Sequence, residues 1–138
     1  MGDDTIRNYG APNVDIYGGD DNDFLSNGGI DASIEACNGN DTVENYGTGT
    51  TIKGGQGNDS IHNAGDKVTI DGGEDNDVIS NIASDVTVGG GSGNDDIHLG
   101  DETKNVTYTL KSRENYTRVK IQARTIERFE IGTWSTSS

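Results

Sequence analysis

The sequence predicts an all-β protein, a parallel β-solenoid of 18-residue coils closed by a C-terminal β capping segment. Three observations carry that expectation. The segments IYGGDDNDFLSN (16–27), IEACNGNDTVEN (34–45), IKGGQGNDSIHN (52–63), IDGGEDNDVISN (70–81) and VGGGSGNDDIHL (88–99) start eighteen residues apart. Each copy divides into two strand-length alternating segments joined by turn-type residues. Of 138 residues, 21 are glycine, one is proline and 29% are hydrophobic, which argues against helices and against a thick globular core. An unbroken period of this kind marks a repeat architecture, each unit stacked on its neighbours.

The elements follow in order. A partial copy, GDDTIRN (2–8), precedes the five, with one extra residue near Pro12. Within a unit, Val68-Thr69-Ile70 reads as a strand with Val68 and Ile70 on one face. The glycine–acid turn comes next, then a second strand, Val78 to Asn81; a looser turn such as AGDK (64–67) leads onward. Stacking at about 4.8 Å converts the period into columns. Ile16, Ile34, Ile52, Ile70 and Val88 form one, and Ile6, Leu25, Val43, Ile61, Ile79 and Ile97 form another. Val14, Val68 and Val86 start a third, weakened by Ala32 and Thr50. Asn8, Asn27, Asn45, Asn63 and Asn81 fall two residues beyond the second column, as an inward amide ladder requires, and Leu99 ends it.

The charge is uneven. Residues 1–101 hold three basic and twenty acidic side chains, a net −17, whereas residues 102–138 hold seven and four, a net +3. An acidic surface of this kind repels nucleic acid and invites cations. No apolar run approaches membrane-spanning length, so no membrane insertion is expected. Cys37 is the only cysteine, which rules out an internal disulfide framework.

Stacking also brings Asp23, Asp41, Asp59, Asp77 and Asp95 into one column, about a strand spacing apart, where carboxylates repel and burial aggravates the repulsion. A cation between successive turns reverses the sign of that interaction. The turns offer carboxylate and carbonyl oxygens with no repeated histidine or thiolate, a donor set for a hard ion such as calcium. Their glycines tolerate φ > 0 and let carbonyls bend toward an ion.

GGQGNDSIH (54–62) and GGSGNDDIH (90–98) fit the nine-residue pattern GGxGxDxUx, U being a large apolar residue. The chain thus resembles, over about residues 2–99, the RTX (repeats-in-toxin, haemolysin-type) calcium-binding β-roll. The resemblance implies Ca²⁺ between stacked turns. Its ligands would be the carboxylates of Asp4, Asp23, Asp41, Asp59, Asp77 and Asp95. Backbone carbonyls of Gly18, Asp20, Gly54, Gln56, Gly57, Gly72, Glu74, Gly90, Ser92 and Gly93 would complete them. It further implies a secreted or cell-surface, extracellular bacterial protein that passes unfolded through a type I secretion channel and folds on meeting calcium. The chain departs from the family in having the motif every eighteen residues rather than nine. Calcium is therefore expected along one edge, four or five ions in all, with an asparagine-supported turn along the other. Asp21 and Asp75 replace the fourth-position glycine, which aspartate tolerates. ACNGND (36–41) replaces both leading glycines, so the Ala36-Cys37 turn is the weakest site.

The organisation expected is repeats over 1–101 (partial coil 2–8, then five repeats to about 99) and capping strands with a tail over 102–138. Residues 105–111, 116–123 and 125–131 alternate as strands around a SREN turn. Because residues 1–8 begin inside a repeat, the chain is expected to be part of a longer parent with flanking domains. Nothing resembles a nucleophile with its base, so no enzymatic activity is expected. DDND (20–23) lacks the glycine and distant glutamate of an EF-hand, and the glycine turns lack the lysine of a phosphate loop. Two rival readings stand beside the calcium switch: a carbohydrate- or surface-binding solenoid with only structural calcium, and a roll held by its ladders alone. The repeat shows no evident column of outward aromatic or threonine residues to favour the first.

Overall fold

The structure, a computed structural model, describes residues 2–100, 106–109, 118–121 and 129–132. The first coils comprise β1 (Thr5–Asn8), β2 (Asp15–Gly19), β3 (Phe24–Asn27), β4 (Ser33–Asn38) and β5 (Thr42–Asn45). The middle comprises β6 (Thr51–Gln56), β7 (Ser60–Asn63), β8 (Thr69–Gly73) and β9 (Val78–Asn81). The chain continues through β10 (Thr87–Gly91), β11 (Asp96–Leu99), β12 (Val106–Thr109), β13 (Arg118–Ile121) and β14 (Phe129–Gly132). They build two seven-stranded parallel sheets, ordered β1-β3-β5-β7-β9-β11-β13 and β14-β12-β10-β8-β6-β4-β2. Consecutive strands alternate between the sheets, so the chain winds as a flattened solenoid.

Register follows the period. Ile16, Ile34, Ile52, Ile70 and Val88 pair in succession. Ile6 pairs with Leu25, one residue beyond the period, which accommodates the extra residue near Pro12. Strand alternation sends residues i, i+2 and i+4 to one face. In the coil containing β6 and β7, Thr50, Ile52 and Gly54 face inward from one side, and Asp59, Ile61 and Asn63 from the other; all six are buried. The interior is thus apolar only at its centre, with Asp59 over Gly54 at one edge and Asn63 at the other.

The asparagine column forms the ladder its position predicts. Asn8, Asn27, Asn45 and Asn63 each donate from Nδ2 to Oδ1 of the next, at 2.8, 2.8, 2.8 and 2.9 Å. Asn45 also donates to the Gly47 carbonyl at 2.9 Å and accepts the Gly47 N–H at 3.2 Å, and Asn27 and Asn63 treat Gly29 and Gly65 alike. The amide ladder therefore satisfies the buried amides of the second edge from one coil to the next. The turn beyond it carries a left-handed residue in each coil: Asn13, Asp31, Gly49, Lys67 and Asp85, at φ between 54 and 77°.

Beyond Asp101 the strands still join the same two sheets. Val88 pairs with Tyr108, Ile97 with Val119 and Val106 with Phe129, all parallel and all at spacings longer than eighteen. The open edges of β10 and β11 accept these strands because pairing constrains the strands and leaves loop length free. The SREN turn lies outside the described residues.

One outward feature differs from the expectation. The second sheet carries a hydroxyl column, Ser33, Thr51, Thr69, Thr87 and Thr107, paired in register. Each precedes an inward residue of its strand, so alternation alone turns it outward. A shallow groove of about 180 Å³ runs along it, lined by Thr51, Lys53, Thr69, Asp71, Thr87 and Gly89 among others.

Candidate metal edge

The first edge is built by the turns that link β2 to β3, β4 to β5, β6 to β7, β8 to β9 and β10 to β11. Asp23, Asp41, Asp59, Asp77 and Asp95 sit immediately before the second strand of each coil, two residues before the inward apolar position. Alternation therefore turns them inward, and they are 1–3% exposed. Asp4, in the partial first coil, is exposed.

Each buried carboxylate divides its oxygens between two tasks. Oδ1 accepts the backbone N–H of the acid one coil earlier: Asp23 from Asp4 and Asp41 from Asp23 at 2.7 Å, Asp59 from Asp41 at 2.8 Å. Asp77 and Asp95 continue the series at 2.9 Å. Oδ2 of Asp23, Asp41, Asp59 and Asp77 is buried with no hydrogen-bond partner. A buried polar atom left unsatisfied costs about 1–3 kcal/mol, and more when charged.

What faces those oxygens is the main chain of the next coil. A Cβ placed on Gly18 would lie 2.5 Å from the Ala36 carbonyl oxygen and 2.8 Å from Asp23 Oδ2. On Gly72 it would lie 2.5 Å from both Asp77 Oδ2 and the Gly90 carbonyl oxygen. On Gly54 it would meet Asp59 Oδ2 and the Gly72 carbonyl oxygen. The first glycine thus leaves room for a carboxylate oxygen of its own coil and a carbonyl of the next to converge.

The remaining predicted positions are distributed along the turn. Asp20, Gln56, Glu74 and Ser92 form its exposed tip, and the Gln56 carbonyl accepts the Gly39 N–H at 2.9 Å. Gly57 and Gly93 hold φ at 112 and 109°, and Asp21 and Asp75 take the same left-handed region at 81 and 74°. Cys37 stands at φ 84° where other coils place a glycine. Among the described residues, no three His, Cys, Asp or Glu side chains converge on one metal position. An ion here would draw the balance of its oxygens from main-chain carbonyls, which calcium's flexible coordination of six to eight oxygens accepts.

Turn contacts beyond the acids emerge only in three dimensions. Asn22, Asn40, Asn58 and Asn76 each accept from the backbone N–H of Asn40, Asn58, Asn76 and Asn94 at 2.8–2.9 Å. The fifth turn position is asparagine in all five copies, a signal visible in the aligned repeats. Amide donors of the turn are thus met by side chains in both directions, while Oδ2 is left over.

Burial is the main force on the central acids. It pushes the Asp41 carboxyl up to about 6, Asp59 to about 7 and Asp77 to about 8. The N–H bond from the preceding coil opposes the rise, and the neighbouring carboxylates add to it. The column therefore exchanges protons near neutral pH, and any cation bound by the same oxygens would have to displace them. Comparison with protein-family models, curated proteins and solved structures returns no match for the chain.

Proposed function

We propose that this chain is a calcium-binding β-roll module, part of a larger secreted or surface protein, that folds when Ca²⁺ binds along the glycine–aspartate edge. The observation that carries it is the row of four buried, unpartnered Oδ2 atoms, those of Asp23, Asp41, Asp59 and Asp77. Carbonyl oxygens converge beside three of these atoms, those of Asp23, Asp59 and Asp77. The GGxGxD turns and their resemblance to RTX repeats support the same reading. Carboxylates must lose their protons to bind, and a site assembled from stacked coils does not pre-exist in the unfolded chain. Binding energy is then folding energy. The role that follows is a folding nucleus, spacer or rigid stalk rather than a catalyst, with export unfolded and folding outside the cell.

Circular dichroism provides the test. In EDTA at neutral pH the β signal is expected to collapse, and added calcium to restore it. An unchanged β spectrum in EDTA would show that the ladders alone hold the roll.

The outward column from Ser33 to Thr107 favours a second reading, an adhesin-like solenoid that binds carbohydrate or another surface. Under that reading Thr69→Glu abolishes polysaccharide retention on affinity gels while calcium-dependent folding persists; equal retention by the variant excludes the threonine face.

A further inference from the structure

We infer that Ala36 closes one position of the metal edge, so that calcium occupies a position at Asp23 and a separate run from Asp59, with none at Asp41. The inference rests on the calcium reading above and concerns which coils it applies to. Register sets Ala36 between Gly18 and Gly54, since Tyr17 and Gly19 pair with Glu35 and Cys37, and these pair with Lys53 and Gly55. At Gly18, Gly54 and Gly72 the absent Cβ leaves a place bounded by the coil's own Asp Oδ2 and the next coil's carbonyl oxygen. In the second repeat that place belongs to the Ala36 methyl group, and Ala36 is fully buried at 0% exposure.

A carbon at that point cannot serve as a ligand, and it holds the Asp41 carboxylate and the facing carbonyl away from a shared ion. Calcium needs several oxygens at about 2.3–2.6 Å, and the closed position can bring fewer of them together. Asp41 keeps its structural task through Oδ1, which accepts the Asp23 N–H at 2.7 Å. The substitution is thus compatible with the fold and selective against the ion.

The number of Ca²⁺ ions held by the intact chain, counted by equilibrium dialysis and native mass spectrometry, tests this. Ala36→Gly introduces a residue that four other coils already carry, and it is expected to add one ion. Gly72→Ala places a methyl 2.5 Å from Asp77 Oδ2 and from the Gly90 carbonyl oxygen, so the turn must shift; in a variant whose β spectrum in calcium is retained, it is expected to remove one. Asp41→Asn is expected to leave the count unchanged. An unaltered count in Ala36→Gly, or the loss of an ion in Asp41→Asn, overturns the inference while leaving the calcium reading standing. A wild-type chain that binds no calcium overturns both, and is recognised because Gly72→Ala then has nothing to lose.

Discussion

Raising the pH from 5 to 8 in EDTA is expected to unfold the roll, and calcium to remove that dependence above about pH 6, where only the ion-bound acids still titrate. In the folded chain Asp41, Asp59 and Asp77 hold protons up to about 6, 7 and 8, chiefly because burial disfavours their charged forms. In the unfolded chain they release them near the ordinary value of 3.8. Between those limits the folded state binds more protons, so its stability falls as pH rises. The loss is about 1.4 kcal/mol per pH unit for each such group. With Asp41 contributing up to about 6, Asp59 up to about 7 and Asp77 up to about 8, the combined loss is comparable to a domain's net stability of about 5–15 kcal/mol. The loss begins above the unfolded value and is complete once the Asp77 carboxyl has ionised. Calcium replaces the protons of Asp59 and Asp77, and its affinity rises with pH over the same window; Asp41, which takes no ion, keeps its own titration up to about 6. Thermal melts at pH 5, 6.5 and 8 check this: Tm should fall with pH in EDTA until no folded baseline remains, and hold steady in calcium between pH 6.5 and 8. Melts in EDTA that ignore pH would mean that the buried column carries no such linkage.

The second large effect is expected at the opposite edge. Asn63 makes four hydrogen bonds through its amide: to Asn81 Oδ1 and the Gly65 carbonyl at 2.9 Å, from Asn45 Nδ2 at 2.8 Å, and from the Gly65 N–H at 3.2 Å. Asn63→Ala removes all four and leaves buried partners unsatisfied at about 1–3 kcal/mol each. A loss of about 4 kcal/mol or more should follow, read as a lower urea midpoint in saturating calcium. Asn58→Ala is the control. Its Oδ1 accepts the Asn76 N–H at 2.9 Å, but in an exposed turn where water can substitute, so about 1 kcal/mol is expected. Similar small losses in both variants would show that the buried ladder contributes little.

The contrast between these two asparagine columns shows what was legible in the sequence. A fixed period determines register, and register determines columns; hence Ile52 over Ile70 and Asn45 over Asn63 could be written down in advance. The αL positions of Asp21 and Asp75 followed from the glycines that they replace. Hydrogen-bond direction is another matter. Nothing in the repeat says that the Asp59 N–H points toward the coil of Asp77 while the Asn58 N–H points back to Asn40. That division depends on local backbone geometry, and it leaves Oδ2 alone on the inner side. The left-handed column at Asp31, Gly49, Lys67 and Asp85 was hidden too, because its residues share a conformation and no chemistry. The threonine column escaped because it reads as the spacer of an alternating strand. Past Asp101 the period fails while pairing persists, as Val88 opposite Tyr108 shows, because longer connections leave the strand register intact.

Diffraction from crystals grown in calcium tests most directly whether calcium lies against the leftover aspartate oxygens. Anomalous peaks are predicted about 2.3–2.6 Å from Oδ2 of Asp23, Asp59 and Asp77. A well-ordered, calcium-saturated roll with no ion along the glycine–aspartate edge, or with ions confined to the asparagine edge, would contradict it.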